Sequence, residues 1–230
     1  MGKEAAGRKG LIECPKLRVQ AGSGSRTFVI GTFDCTDLPL LPVVRARLRS
    51  QAPSIDFMVK AVPPADIGRA LRQRHIDAAI GPLAAAPDDV HSTALFVERL
   101  VMVARRDHPA LRKALTVKTF AVLPHVQVSA RGAEFRSVDR ALSELGLSRR
   151  FARTVPHFNA AALLVEVSDF VAVVPERVAE RMQAVGRFEV HELPLHVLPW
   201  TVGLVQTKDS LKDARMRCLV ALICSVAGEV

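Results

Sequence analysis

The chain has 230 residues with a mass of 25.0 kDa, and 49% of the residues are hydrophobic and 24% charged. This composition excludes a disordered or fibrous protein and predicts a core large enough to need no metal or disulfide for stability. The net charge of +9 makes nucleic acid a partner to consider. Much of that excess lies in residues 1–26, and the aromatic content is only 5%, so a base-stacking surface is disfavoured.

The four cysteines, Cys14, Cys35, Cys218 and Cys224, form no CxxC pair and have no histidine at metal-ligand spacing. This pattern argues against a zinc site and against the disulfide framework of a secreted protein. No apolar stretch reaches the ~18 residues of a membrane span, and residues 1–20 lack the apolar segment of a signal peptide. We therefore expect a cytoplasmic protein with no metal and no cofactor.

Residues 1–26 contain Gly22-Ser23-Gly24-Ser25 and have the composition of a flexible tail. The patterns that follow predict a strand at 27–32, a helix from about Asp37, a strand at 55–61, a helix at 64–74 and a strand at 76–81. Two apolar faces accompany them: Leu41, Val44 and Leu48 on the first helix, and Ile55, Phe57, Val59 and Ala61 on the second strand.

The same β-α-β-α-β order returns in the second half of the chain. Its segments are a strand at 125–129, a helix at 134–146, a strand at 150–155, a helix at 157–167 and a strand at 170–175. Gly146 is a natural residue to follow the first of these helices. Two such blocks predict two small α/β lobes, each with a parallel sheet.

Two further segments are suited to joining the lobes. Residues 94–106 predict a strand pair or one long strand leading across, and residues 198–206 could carry the chain back before a final helix from Ser210. We assign 27–105 with 203–230 to lobe I and 106–202 to lobe II, with the final helix packed on lobe I. Two crossing strands between two lobes form a hinge, and a small ligand is usually held in the cleft between such lobes.

Catalytic motifs are absent: the sequence contains no GxSxG, Walker A, HExxH or complete GxGxxG. Nothing in it places a nucleophile, a base and an orienting acid together, so we expect no enzyme. Helix N-termini beyond buried strands suggest a site instead, because their N–H groups favour an anion. Neutral donors occur at these points: Thr32, Thr36, Ser129 and Asn159. Asp34 and Asp37 oppose an anion there, and ordinary capping is the alternative role.

Three aromatic or imidazole side chains also have two interpretations each. His157 and Phe158 follow Pro156 at a strand-to-helix junction, where the imidazole could bind a ligand and the ring could stack on it. A surface or capping histidine is the alternative. Trp200, the one tryptophan, could line the cleft or fill the hinge.

These segments resemble the effector-binding domain of LysR-type transcriptional regulators, from about Arg26 to Ala227. The resemblance is carried by RTFVIGTFDCTDLPLLPVV, DIGRALRQRHIDAAIG, LFVERLVMVARRDHPAL and VPHFNAAALLVEVSDFVAVVPERVAERM. VARRDHPAL is specific, and VPHF followed by SDFVAVVPERVA is most similar to the branch of nodulation regulators and sensors of aromatic catabolites. The resemblance implies an α/β fold similar to type 2 periplasmic binding proteins, with two Rossmann-like lobes. It also implies small, often aromatic or anionic effectors, and dimers.

By position, the resemblance implies effector contacts at Thr32, Thr36, Gly81, Pro82, Leu83, Ser129, His157, Phe158 and Trp200. It assigns no contact to Asp34 or Cys35, and a redox role for Cys35 is disfavoured because no resolving cysteine can be named.

Members of this family begin with a winged helix-turn-helix, which we do not recognise here. We therefore expect an isolated regulatory domain that forms a homodimer and does not bind DNA by itself. The alternatives are a solute-binding protein of the same fold, an enzyme on this fold with an acid and base in the cleft, and a modulator that forms mixed dimers with full-length regulators.

Overall fold

The computed structural model describes residues 26–32, 37–86, 89–128 and 136–229. Ten strands within these ranges form two separate five-stranded sheets. The expected flexible tail lies outside the described residues apart from Arg26, which is the first residue of β1. Two separate α/β units agree with the predicted fold class.

The first sheet has the order β2-β1-β3-β10-β4. Its strands are β1 (Arg26–Thr32), β2 (Ile55–Ala61), β3 (Ala78–Pro82), β4 (His91–Glu98) and β10 (Trp200–Gln206). The second sheet has the order β7-β6-β8-β5-β9. Its strands are β5 (Leu100–Arg105), β6 (Pro124–Val128), β7 (Arg150–Val155), β8 (Val171–Pro175) and β9 (Phe188–His191). In each sheet four strands run in the same direction, and the remaining strand runs antiparallel to them and arrives from the other lobe. This strand is β10 in the first sheet and β5 in the second.

Helices cover both faces of each sheet, so each lobe has two apolar clusters. The helices are α1 (Asp37–Gln51), α2 (Ile67–Arg72), α3 (Val117–Val122), α4 (Arg136–Glu144), α5 (Phe158–Glu166), α6 (Glu176–Val185) and α7 (Ala214–Ala227). Helix α7 packs with α1 in the core of lobe I, as the sequence predicted. Cys218 of α7 is buried in this core and is disulfide-bonded, which the cysteine spacing did not predict.

The predicted strands and helices of both β-α-β-α-β blocks are confirmed, with small differences at their ends. Gly146 follows α4 with φ of 70°, the left-handed conformation expected of it. The predicted buried face of β2 is wrong beyond its first residues. Ile55 is buried, but Val59 and Ala61 are exposed, because β2 is the edge strand and its C-terminal half lies outside the core.

The two connections between the lobes are short. Strand β4 ends at Glu98 in the first sheet and β5 begins at Leu100 in the second, so the chain crosses at Arg99. It returns between His191 and Trp200. Sheet membership therefore places β5 in lobe II and the start of β10 in lobe I, whereas the sequence assigned them the other way. The segment 94–106 is apolar on both sides of Glu98 and Arg99, so its apolar pattern alone does not show that the strand changes sheets there.

Candidate ligand site between the lobes

Both sheets turn the carboxyl ends of their parallel strands toward the crossings. In lobe I, β10 enters beside the end of β3, where Val202 pairs with Pro82. In lobe II, β5 begins beside the end of β8, where Leu100 pairs with Pro175. These are the edges at which ligands of open α/β sheets bind, and here the two edges lie on either side of the same hinge.

The structure brings several predicted residues together on the lobe I edge. Thr32 ends β1 and pairs with Ile80, so it lies beside the Gly81 to Leu83 end of β3. The next strand along is β10, which begins at Trp200. Five predicted contact residues from three separate segments therefore share one edge of this sheet.

Thr32 is the most unusual of these residues. Its side chain is buried, with 2% exposure, and its hydroxyl oxygen has no hydrogen-bond partner among the described residues. Buried hydroxyl groups in proteins are nearly always hydrogen-bonded, and leaving one unpaired costs about 1–3 kcal/mol. An unpaired hydroxyl at a ligand-binding edge has the chemistry to donate to an anion or a carbonyl group.

On the lobe II edge, His157 precedes α5 and is exposed. Its carbonyl accepts the N–H groups of Ala160 and Ala161, and its side chain makes no capping bond to the helix. Phe158 is different, because its ring is only 3% exposed and packs in the core under α5. Thr36 and Ser129 lie outside the described residues, as do Asp34 and Cys35.

Trp200 joins the apolar parts of the two lobes. Its partly buried indole packs against the cluster of lobe I that includes Phe28 and against the cluster of lobe II that includes Phe120. Of the two roles open to it from sequence, this position supports filling the hinge.

Sequence reasoning missed a group of charged residues at the first crossing. Glu98 ends β4 with 3% exposure, and its carboxylate accepts the backbone N–H of Arg99 at 3.0 Å. The guanidinium of Arg177, from α6, lies 3.7 Å from that carboxylate. Burial raises the pKa of Glu98, and the Arg99 N–H and the Arg177 charge oppose this rise. Two adjacent charges in the otherwise apolar segment LFVERLVMV were the available signal.

Sequence reasoning also missed the close approach between Gly203 and the side chain of Leu83. Gly203 of β10 lies so close to Leu83 that a β-carbon there would be 2.2 Å from its Cδ2 atom. Gly203 also pairs with Gly81 across the two strands. A lone glycine within a strand pattern marks a close approach of this kind.

Two α/β lobes of this topology, joined by two crossings, form a type 2 periplasmic-binding-protein-like fold. The family described as the LysR substrate-binding domain matches residues 21–227, and the chain belongs to this family. No helix in the described ranges is long and apolar enough to cross a membrane.

Curated relatives of the chain are transcription regulators. It is 33% identical over 193 residues to the HTH-type transcriptional regulator SyrM of Rhizobium meliloti (strain 1021), covering 82% of this chain and 59% of SyrM. It is 28% identical over 158 residues to the HTH-type transcriptional activator NahR of Pseudomonas putida, covering 69% of this chain and 53% of NahR. The chain thus spans somewhat more than half the length of these relatives.

Among solved structures, the regulatory domain of MexT, a transcriptional activator in Pseudomonas aeruginosa, matches with a TM-score of 0.78. The match covers 87% of this chain and 99% of that domain at 24% identity, and it shows the fold.

Proposed function

We propose that the chain is the effector-sensing domain of a LysR-type regulator, and that a small anionic, aromatic effector binds between its lobes. The observation that carries this proposal is the buried hydroxyl of Thr32 at the carboxyl edge of lobe I, which has no hydrogen-bond partner among the described residues. In this proposal Gly81 to Leu83 and Trp200, from segments at that edge, form the lobe I side of the site, and His157 with the N-terminus of α5 forms the lobe II side. An effector acts by binding one arrangement of the lobes more tightly than the others.

An anion fits this site for two physical reasons. A hydroxyl that lacks a partner can donate to a carboxylate oxygen, and the first N–H groups of α5 carry the positive end of the helix dipole. In this proposal the part of the Trp200 indole that is not buried in the hinge supplies an apolar surface for an aromatic ring. Thr36 and Ser129 remain predicted contacts, whereas the buried ring of Phe158 supports a core role, so we leave it out of the site.

The test is calorimetric titration of the chain with small aromatic carboxylates, beginning with benzoate, against Thr32→Val. Valine keeps the shape of threonine and removes the hydroxyl, so we expect affinity to fall about tenfold, or ~1.4 kcal/mol. Stability should stay unchanged or rise by about 1 kcal/mol, because the unpaired buried hydroxyl is gone. Thr93→Val on β4 is the matched control and should change neither. Equal affinity for wild type and Thr32→Val, or no binding by the wild type, would contradict the proposal.

We also propose that the domain acts in the cytoplasm as a homodimer that uses the edge of β2. No strand among the described residues pairs with the outer side of β2, and Met58 on it is 59% exposed next to the exposed Val59. Strand β7 is an edge strand of lobe II and exposes Phe151, so a second copy in the opposite orientation could meet β2. Natural proteins rarely leave such an apolar edge uncovered.

Met58→Arg is therefore expected to weaken dimerisation at least about tenfold, because it places an unpaired charge in the interface. Light scattering after size-exclusion chromatography at a series of concentrations measures this. Val122→Arg, at another exposed apolar position on α3, should leave the dimer unchanged. A monomeric wild type, or a dimer insensitive to Met58→Arg, would overturn this part of the proposal.

A further inference from the structure

The first turn of α6, in lobe II, is attached to the end of β4, in lobe I. Arg177 makes this attachment with one side chain. Its guanidinium lies 4.1 Å from the centroid of the Phe96 ring, and its Nη1 donates to the carbonyl of Val97 at 2.9 Å. The same guanidinium faces the carboxylate of Glu98 at 3.7 Å. One lobe II side chain thus contacts three successive residues of a lobe I strand.

Glu98 supplies the other half of the attachment. Helix α6 follows Pro175, whose side chain cannot cap it, and the Glu98 carboxylate lies near enough to the backbone N–H groups of Arg177 and Glu176 that both groups act to lower its pKa. The first N–H groups of a helix need such an acceptor, and a negative charge there is favoured by the helix dipole. The end of a lobe I strand therefore caps a lobe II helix.

Arg99 connects the start of the second crossing to the first turn of α6. Its guanidinium pairs with both carboxylate oxygens of Glu176 and with Glu192, the first residue after β9. The backbone N–H of Glu176 also donates to the Arg99 carbonyl at 2.9 Å. These ion pairs are partly exposed and will be screened by water, whereas the side chain of Arg177 is only 17% exposed. We therefore regard Arg177 as the dominant side chain.

We propose that residues 96–99 of β4 and the first turn of α6 form an interlobe clasp, with Arg177 as its positioning residue, that fixes the orientation of the lobes before effector binds. If lobe II rotated about the crossings so that α6 moved away from β4, this helix would lose its cap. The buried Glu98 carboxylate would also lose the nearby Arg177 cation. Such a free-energy penalty favours a few discrete orientations of the two lobes over a continuous range of orientations. The consequence for signalling rests on the proposed function, but the clasp itself does not.

The experiment measures the distance between the lobes in the full chain without any effector. Spin labels are attached at Gln73 on lobe I and Ser143 on lobe II, because both positions are exposed. The labels are carried by noncanonical amino acids, so the native cysteines do not react. Wild type should give one narrow distance distribution. Arg177→Met keeps the apolar stem and removes the guanidinium, so the distribution should broaden about twofold or gain a second population.

Arg187→Met is the matched control, because it removes an exposed arginine from the same lobe, and it should leave the distribution unchanged. If Arg177→Met does not fold, the double variant Glu98→Gln, Arg177→Met removes the stranded charge and is measured in its place. A folded variant with the wild-type distribution overturns the clasp, even if its melting temperature falls, since a purely structural arginine would lower only stability. Failure of aromatic carboxylates to bind would leave this measurement intact, so the two proposals fail separately.

Discussion

Replacing His125 by glutamine should remove most of the stability loss that the wild type shows between pH 6.5 and pH 4. His125 has 0% exposure in lobe II, where its Nε2 atom lies 2.8 Å from the Phe120 carbonyl and its Nδ1 atom has no partner among the described residues. Burial lowers the pKa of His125 from 6.5 to about 4, and the hydrogen bond to Phe120 only partly offsets this. The imidazole is therefore neutral in the folded protein over most of this interval.

The sign of the effect follows from proton binding. In the unfolded chain His125 takes up its proton near pH 6.5, whereas in the folded chain it does so only near pH 4. Between these values the unfolded state binds more protons, so acidification favours unfolding. The shift corresponds to a contribution of about 3 kcal/mol, present in full above pH 6.5 and lost as the pH falls to about 4.

Urea unfolding at about pH 7, 5.5 and 4, which brackets this interval, measures the contribution through the slope of the free energy of unfolding against pH. Glutamine can still donate to the Phe120 carbonyl but cannot take up a proton, so its stability curve should be flatter, should lie close to that of the wild type at neutral pH and should lie above it at the acidic end. His75→Gln, at an exposed histidine of lobe I, is the control and should keep the wild-type slope. A His125→Gln protein with an undiminished slope would place the acid sensitivity elsewhere.

The sequence was most informative where a strand is apolar throughout. The runs at 27–32, 76–81 and 170–175 predicted β1, β3 and β8 because central parallel strands are buried on both faces. The short elements were missed for the opposite reason. Strand β9 has four residues and α3 has six, which is too few to show a period. The ten-residue α6 does carry an amphipathic pattern, with Val178 and Met182 inward, and that pattern could have been used.

The residues of the candidate site also differ in how far the sequence could predict their positions. Thr32 and Leu83 could be placed together from sequence, because the carboxyl ends of neighbouring parallel strands meet at one edge. The contact of Arg177 with Val97 could not, since the two residues are 80 positions apart and meet only through the arrangement of the lobes. Phe158 shows a third case. A residue at a strand-to-helix junction can point to the site or to the core, and its position in the chain does not decide which.

Gly203 on β10 and Gly81 on β3 face each other, yet alanine is expected to have different effects on stability at the two positions. An alanine β-carbon at Gly203 would lie 2.2 Å from Cδ2 of Leu83 and 2.8 Å from the backbone oxygen of Thr93. At Gly81 the nearest atom would be Cδ1 of Ile67 at 3.7 Å, an ordinary contact. We expect Gly203→Ala to lower the free energy of unfolding by about 2–3 kcal/mol through overpacking, and Gly81→Ala to change it by less than about 1 kcal/mol.

The two variants also separate the stability of lobe I from the geometry of the site. In Gly203→Ala the side chain of Leu83 can give way, but the Thr93 oxygen belongs to the neighbouring strand, so β4 and β10 must shift apart. That shift moves Leu83 at the ligand edge, and binding of benzoate should weaken along with the melting temperature. Thermal unfolding and titration of both variants check this. Equal melting temperatures for the two alanine variants would show that β10 tolerates a side chain facing Leu83, and that the close approach does not position this edge.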